Sequence, residues 1–266
     1  MPMNDQKELL KLNVPVQGNV LLQDILDRVN ENKELFTFWK AINVNALKRL
    51  EMTDHGIVHF QIVSNIALRL ARLLKKSDVA MSIQKDHNLS YEHAEVVIFL
   101  SSITHDLGMS INRSGHEEFS LILADRIITD ILQFLPVEER TILTAETLHA
   151  IISHRKGGTP YTVEAGILRV ADALDMSYGR SKTPIKAGHF DIHSLSHAAI
   201  ENVEIQEGKE RPIQINITMN NSAGLFQIDE LLKSKLKGSG IEKYFEVKAE
   251  VKRAEKSLLK EFFIKL

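Results

Sequence analysis

Residues 91–109 read "YEHAEVVIFLSSITHDLGM", an apolar run that passes straight into a threonine, a His–Asp pair and a glycine. The run predicts a buried helix from about Tyr91 to Thr104, with Ser90 as its cap. His105 and Asp106 at its end both bind protons and metals, and both are costly to desolvate unless something pairs with them. That partner has to come from elsewhere in the chain.

On either side of this run the apolar residues recur at helical spacing. "VLLQDILDRVNENKELFTFWKAI" (20–42) carries Leu21, Leu22, Ile25, Leu26 and Val29, and "HFQIVSNIALRLARLL" (59–74) carries Ile62, Ile66, Leu70 and Leu73 as core stripes. The polar stretch 75–93 interrupts the pattern, with caps expected at Ser77 and Asp78. After Gly108 a loop leads to helices over "EEFSLILADRIITDIL", "VEERTILTAETLHAIISH" and "TVEAGILRVADALDM". Past Pro184 the texture changes. "HAAIENVEIQEGKERPIQINITM" alternates around a glycine-containing turn and reads as a hairpin, "LFQIDELLKSKL" as a helix, and "EKYFEVKAEVKR" as a last strand. The expected architecture is mostly α: a helical domain over 1–184 and a small α+β subdomain over 185–266. The last helix packs on its own hairpin or on a second subunit, which leaves a homodimer open.

Composition excludes several function classes. The apolar fraction of 44% and the charged fraction of 26% belong to an ordinary folded chain, and 13 Gly with 6 Pro leave little room for linkers. With 33 basic and 35 acidic residues the net charge is only −2, so no global field draws in nucleic acid or an anionic membrane. The absence of cysteine excludes disulfides, thiolate metal sites and a cysteine nucleophile. The first residues lack the basic-then-apolar order of a signal peptide, and apolar stretches such as "AEVVIFLSSI" are shorter than the roughly 18 residues of a membrane span. The expected location is the cytosol.

The eleven histidines carry the chemical information. His55 and His59 stand four apart in "TDHGIVHF", with Asp54 as a helix cap ahead of Gly56. His116 follows in "GHEEF", His149 and His154 lie in "LHAIISH", and Asp172 sits in "RVADALD". Polar residues on apolar helices need partners, and convergent helices offer a shared metal ion. Imidazole and carboxylate donors without thiolate suit Zn, Mn, Fe, Co, Ni or Mg, and one Asp can bridge two ions. His149 and His154 are five apart, about 140° around a helix, which argues against both being ligands.

In order, His59, the pair His105–Asp106 and Asp172 resemble the H…HD…D signature of the HD-domain metal-dependent phosphohydrolase superfamily, over about residues 50–183. The resemblance implies an HD-domain helical bundle in which His59, His105, Asp106 and Asp172 hold one divalent metal. His116 and His154 resemble the additional histidines of two-metal members, with Asp106 as the bridge. "TDHGIVH", "VADALDMSYGRS" and "NSAGLFQIDELLK" also resemble uncharacterised HD-domain proteins with a C-terminal α+β tail. The "GYP" segment of cyclic-dinucleotide esterases is replaced here by "GGTPYT".

The function implied is hydrolysis of a small phosphate ester, a nucleotide or similar, with one or two ions activating water at Asp106. His55 or His149 would protonate the leaving group or orient substrate. Arg155, Lys156, Arg180 and Lys182 follow candidate ligand helices, where they hold a phosphate or form a solvated charge run. His55 is equally a helix-start residue. His189, Asp191 and His193, with His197 beyond, form a second metal site or a row of surface histidines. Two other classes remain open: a nucleotide-binding regulatory module, and a di-iron oxygenase on the same fold.

Overall fold

The computed structural model describes residues 11–155, 157–176, 196, 198–252 and 261–264. The apolar run forms helix α5 (Tyr91–Thr104), in which twelve residues from Tyr91 to Thr104 are buried. Ser90 caps it, its hydroxyl 2.8 Å from His93 Nδ1. At the other end Trp39 Nε1 donates to the carbonyl of Ile103 at 3.1 Å, satisfying one of the acceptors that a helix C-terminus leaves open.

Around α5 pack α1 (Val20–Glu31), α3 (Ile57–Lys76), α7 (Val137–Ser153) and α8 (Val163–Leu174). The predicted single run over 20–42 is two helices. Asn32 stands in extended conformation between α1 and α2 (Lys33–Asn43), and its side chain accepts from Leu35 N–H. Such a cap favours starting a new helix over continuing the old one. The buried face of α3 is Val63, Ala67, Leu70, Ala71 and Leu74, while Ile62 and Ile66 are only half-buried. Apolar side chains on both flanks hide the rotation from a period-based reading. With 20 residues α3 has the length and composition of a membrane span, longer than the sequence reading allowed; its apolar face is taken up by α5 and α8. A short helix, α4 (Ser82–His87), fills the polar stretch before α5.

After α5 the chain makes a tight 3-10 turn (Leu107–Ser110) and enters α6 (His116–Ile131). Gly108 makes this possible: a Cβ there would run into His116 O and Ser120 N, and Gly108 N–H donates to Ser120 Oγ at 2.8 Å. The first turn of α6 therefore lies against the His–Asp pair.

The C-terminal part is a mixed sheet in the order β1-β2-β3-β4. Strands β1 (Ile200–Glu207) and β2 (Ile213–Met219) form the expected antiparallel hairpin, with Val203 opposite Ile217. A helix over 224–237, α9, with a π-helical middle at Gln227–Leu232, crosses over to β3 (Phe245–Val251), which runs parallel to β2. A short strand β4 (Glu261–Ile264), absent from the sequence reading, pairs antiparallel with β3. Buried Ile213, Ile215 and Ile217 of the sheet and Ile228, Leu232 and Leu236 of α9 belong to the same apolar core as α3 and α5. The expected boundary at 184/185 lies outside the described residues.

Candidate metal centre

His105 and Asp106 close α5, and four other elements deliver side chains to them. His59 comes from the first turn of α3. That turn is set by Asp54, whose Oδ1 accepts from Gly56 N–H (2.9 Å) and whose Oδ2 accepts from Asn43 Nδ2 (2.7 Å); Asn43 Oδ1 in turn accepts from His55 N–H (3.0 Å). His116 opens α6, His154 follows α7 and Asp172 lies in the last turn of α8.

The four imidazoles share one feature. His59 Nδ1 faces Asp175 Oδ2 at 2.6 Å, His105 Nδ1 the Ser102 carbonyl at 2.9 Å, His154 Nδ1 the Ile151 carbonyl at 2.5 Å, and His116 Nδ1 the Arg113 carbonyl at 3.0 Å. For His59, His105 and His154 the acceptor calls for a proton on Nδ1, which leaves Nε2 as the lone-pair nitrogen; at His116 the carbonyl and Glu117 Oε2 favour the same tautomer, although Arg113 Nη1 also lies 3.2 Å from Nδ1. These Nε2 atoms converge. His59 and His105 place theirs 3.2 Å apart, 3.6 and 3.7 Å from Asp172 Oδ1, and 3.9 and 3.7 Å from Asp106 Oδ2. The other oxygen of Asp106 turns the opposite way, 3.0 Å from His116 Nε2 and 3.8 Å from His154 Nε2. Donor atoms of His59, His105 and Asp172, and of His105, Asp106 and His154, lie within 4.8 Å of one another.

The donors fit a metal. Bond lengths of about 2.0–2.1 Å put neighbouring ligand atoms about 3.0–3.4 Å apart, so contraction by a few tenths of an ångström completes the set. Two lone pairs 3.2 Å apart repel unless a cation lies between them. In the metal-free chain protons take that role. Burial opposes charge on His105 and His116, but the Asp106 carboxylate beside each raises both above the ordinary histidine value. Burial likewise opposes charge on the carboxylates, yet His105 and His116 hold Asp106, and Lys235 and His105 hold Asp172, well below the usual range. His154, desolvated and facing His105 and Lys235, is pushed down to about 3 and stays a neutral donor.

The structure brings together His59, His105, Asp106, His116, His154 and Asp172. His55 is half-buried, its ring 5.6 Å from that of His59. His149 points elsewhere: its Nε2 accepts from Tyr161 N–H at 2.9 Å and its ring stacks on Tyr161, consistent with the 140° that separates it from His154. Arg155 reaches Glu118 on the surface rather than the cluster. Lys156, Arg180, Lys182, His189, Asp191, His193 and His197 lie outside the described residues. Three groups escaped the sequence reading. Asp175 orients His59, Glu117 puts a carboxylate 3.2 Å from His116 Nδ1, and Lys235 of α9 binds Asp172 Oδ2. Asp175, three after Asp172, sits on the same side of the helix end; Lys235 flanks the stripe Ile228–Leu232–Leu236, and that spacing was its available signal.

Fold and cluster together define a mostly helical protein with buried His/Asp groups that could hold metal. Over 241 residues the chain is 43% identical to the uncharacterized protein MJ1020 of Methanocaldococcus jannaschii, an alignment covering 90% of this chain and 93% of that one. It belongs to the same family as that protein. No protein-family model and no solved structure matches it.

Proposed function

We propose that this protein is a metal-dependent phosphohydrolase of the HD type, acting on a nucleotide or similar small phosphate ester. The supporting observation is the division of Asp106 between two sets of imidazoles, each ring anchored through Nδ1. His59, His105, Asp106 and Asp172 would hold one divalent ion, and Asp106, His116 and His154 a second. Bound there, the ions would supply positive charge for a phosphoryl group and a water of lowered pKa.

The chain's own residues set the conditions for that chemistry. Asp175 and the carbonyls of Ser102, Arg113 and Ile151 hold the rings in a fixed tautomer, so no reorganisation is needed when charge develops. Phe60, in contact with the rings of both His59 and His105, keeps water from the back of the cluster. His55, half-buried one ring away from His59, would protonate the leaving oxygen.

The test is a screen of nucleotides and cyclic nucleotides with manganese- or iron-loaded protein, reading phosphate or nucleotide release. At least one ester should be cleaved, and the activity should disappear with chelator and in Asp106→Ala. Oxygen consumption by the iron form without hydrolysis would replace this reading with oxidative chemistry. Tight nucleotide binding without turnover would replace it with a regulatory module.

A further inference from the structure

Exposure is uneven around the cluster. The side chains of His59, His105, His154, Asp106 and His116 are at most 8% exposed, whereas Asp172 is 18% and Lys235 16% exposed. The cluster therefore meets solvent at the Asp172–Lys235 edge, on the side away from Glu117, which is 17% exposed beside His116. Asp172 is shared there: Oδ1 faces the Nε2 atoms of His59 and His105, and Oδ2 accepts from Lys235 Nζ. Lys235 and a metal would use different oxygens of one carboxylate, so the ammonium need not leave when the site fills.

The position of Lys235 is built, not incidental. Its carbonyl accepts from Arg169 Nε at 3.1 Å, and Arg169 Nη1 donates to the carbonyls of Ser153 (3.1 Å), Arg155 (2.7 Å) and Gly158 (2.9 Å). One buried guanidinium thus ties the end of α7, next to His154, to the backbone of Lys235. The close fit needs glycine twice. A Cβ on Gly238 would meet the Arg169 guanidinium, and one on Gly166 would meet Ser239 O. Leu232 and Leu236 bury the neighbouring face of α9 and fix its rotation.

We propose that Lys235 is the anion-binding residue of this site, supplied by the C-terminal subdomain. An ammonium carries three N–H donors. Asp172 takes one, and the others stand at the edge where a ligand enters, to hold phosphoryl oxygens. This rests on the phosphate-ester reading above, and it gives the tail a role: it completes the binding site that the helical part opens.

The experiment uses the full chain saturated with manganese and titrates inorganic phosphate by calorimetry, with metal per chain measured in parallel. Lys235→Met keeps length and removes charge. It should retain wild-type metal content and bind phosphate at least about tenfold more weakly, as the loss of even one charge-assisted hydrogen bond implies. Lys235→Arg should recover most of the affinity. Wild-type phosphate affinity in Lys235→Met would overturn the proposal while leaving the hydrolase reading intact. Failure of the wild-type, metal-loaded protein to bind phosphate would overturn both. A second measurement needs no variant: phosphate should slow reductive methylation of Lys235 in the wild-type protein, read by peptide mass spectrometry, and an unchanged rate would count against the role.

Discussion

Asp175→Ala removes a group that touches no proposed ion, and metal binding should still weaken. The Asp175 carboxylate is fully buried and lies 2.6 Å from His59 Nδ1, itself on a side chain only 1% exposed. It holds the ring in place and fixes the tautomer that leaves Nε2 free for a metal. Loss of such an orienting partner costs about 10- to 100-fold in metal affinity, or about 1.4–2.7 kcal/mol. Without it His59 Nδ1–H is left buried with no carboxylate acceptor, and the ring is free to turn its proton toward the cluster. Asp175→Asn, whose carbonyl can still accept, should fall at the lower end of that range. Competition with a fluorescent zinc indicator reads the affinity. Thermal midpoints in chelator separate loss of metal binding from loss of fold. Metal affinity within twofold of wild type in Asp175→Ala would refute the reasoning, because the lone-pair assignment of His59 would then owe nothing to Asp175.

His116→Ala or His154→Ala should lower metal occupancy from about two ions to about one, cut turnover by far more than half, and move the thermal midpoint less than Asp106→Ala does. Mass spectrometry of metal per chain checks this; unaltered occupancy and activity in both would leave a mononuclear site. Gly108→Ala should push the first turn of α6 away from the His–Asp pair, because its Cβ meets backbone atoms of His116 and Ser120. The expected result is a loss of about 1–3 kcal/mol in denaturant titration together with weakened binding of the second ion only. His149 supplies a pH dependence. Burial lowers its pKa below 6.5, and its Nε2 accepts from Tyr161 N–H, so the folded state favours the neutral ring. That stability is fully present above the unfolded value of about 6.5 and is lost as pH falls below it toward the folded value. In chelator, His149→Gln should lose less stability than wild type between pH 7 and 5.5; parallel curves would show that the ring contributes nothing there.

Much of this could be read in the sequence because the decisive signals are local. An apolar run ending in His105–Asp106 announces a buried polar pair, and the histidines and Asp172 each interrupt an apolar helix. Five-residue spacing separated His149 from His154, and the structure turns them to different neighbours. What escaped was set by rotation and by distance along the chain. Apolar residues surround α3 too evenly for periodicity to choose between the Ile62–Ile66 side and the Val63–Ala67 side. Asp175 was visible, but only the packing of α8 against α3 shows that it faces His59 rather than solvent. Lys235 lies 63 residues from Asp172, and no local pattern reports a contact made by a crossover helix. Gly166 and Gly238, which admit that contact, look in sequence like ordinary helix and turn glycines.

The most direct test of the metal centre is metal per chain, by plasma mass spectrometry, in wild type purified without chelator and in Asp106→Ala. Asp106 offers one oxygen to each half of the cluster, so the wild type should carry about two ions and the variant close to none. The wild-type midpoint should also fall on chelation, because a ligand at a hundred times its Kd contributes about 2.7 kcal/mol to the folded state. Asp106→Ala that keeps wild-type metal content, or a wild type that takes up no divalent ion when offered Zn, Mn, Fe, Co, Ni or Mg, would contradict the account.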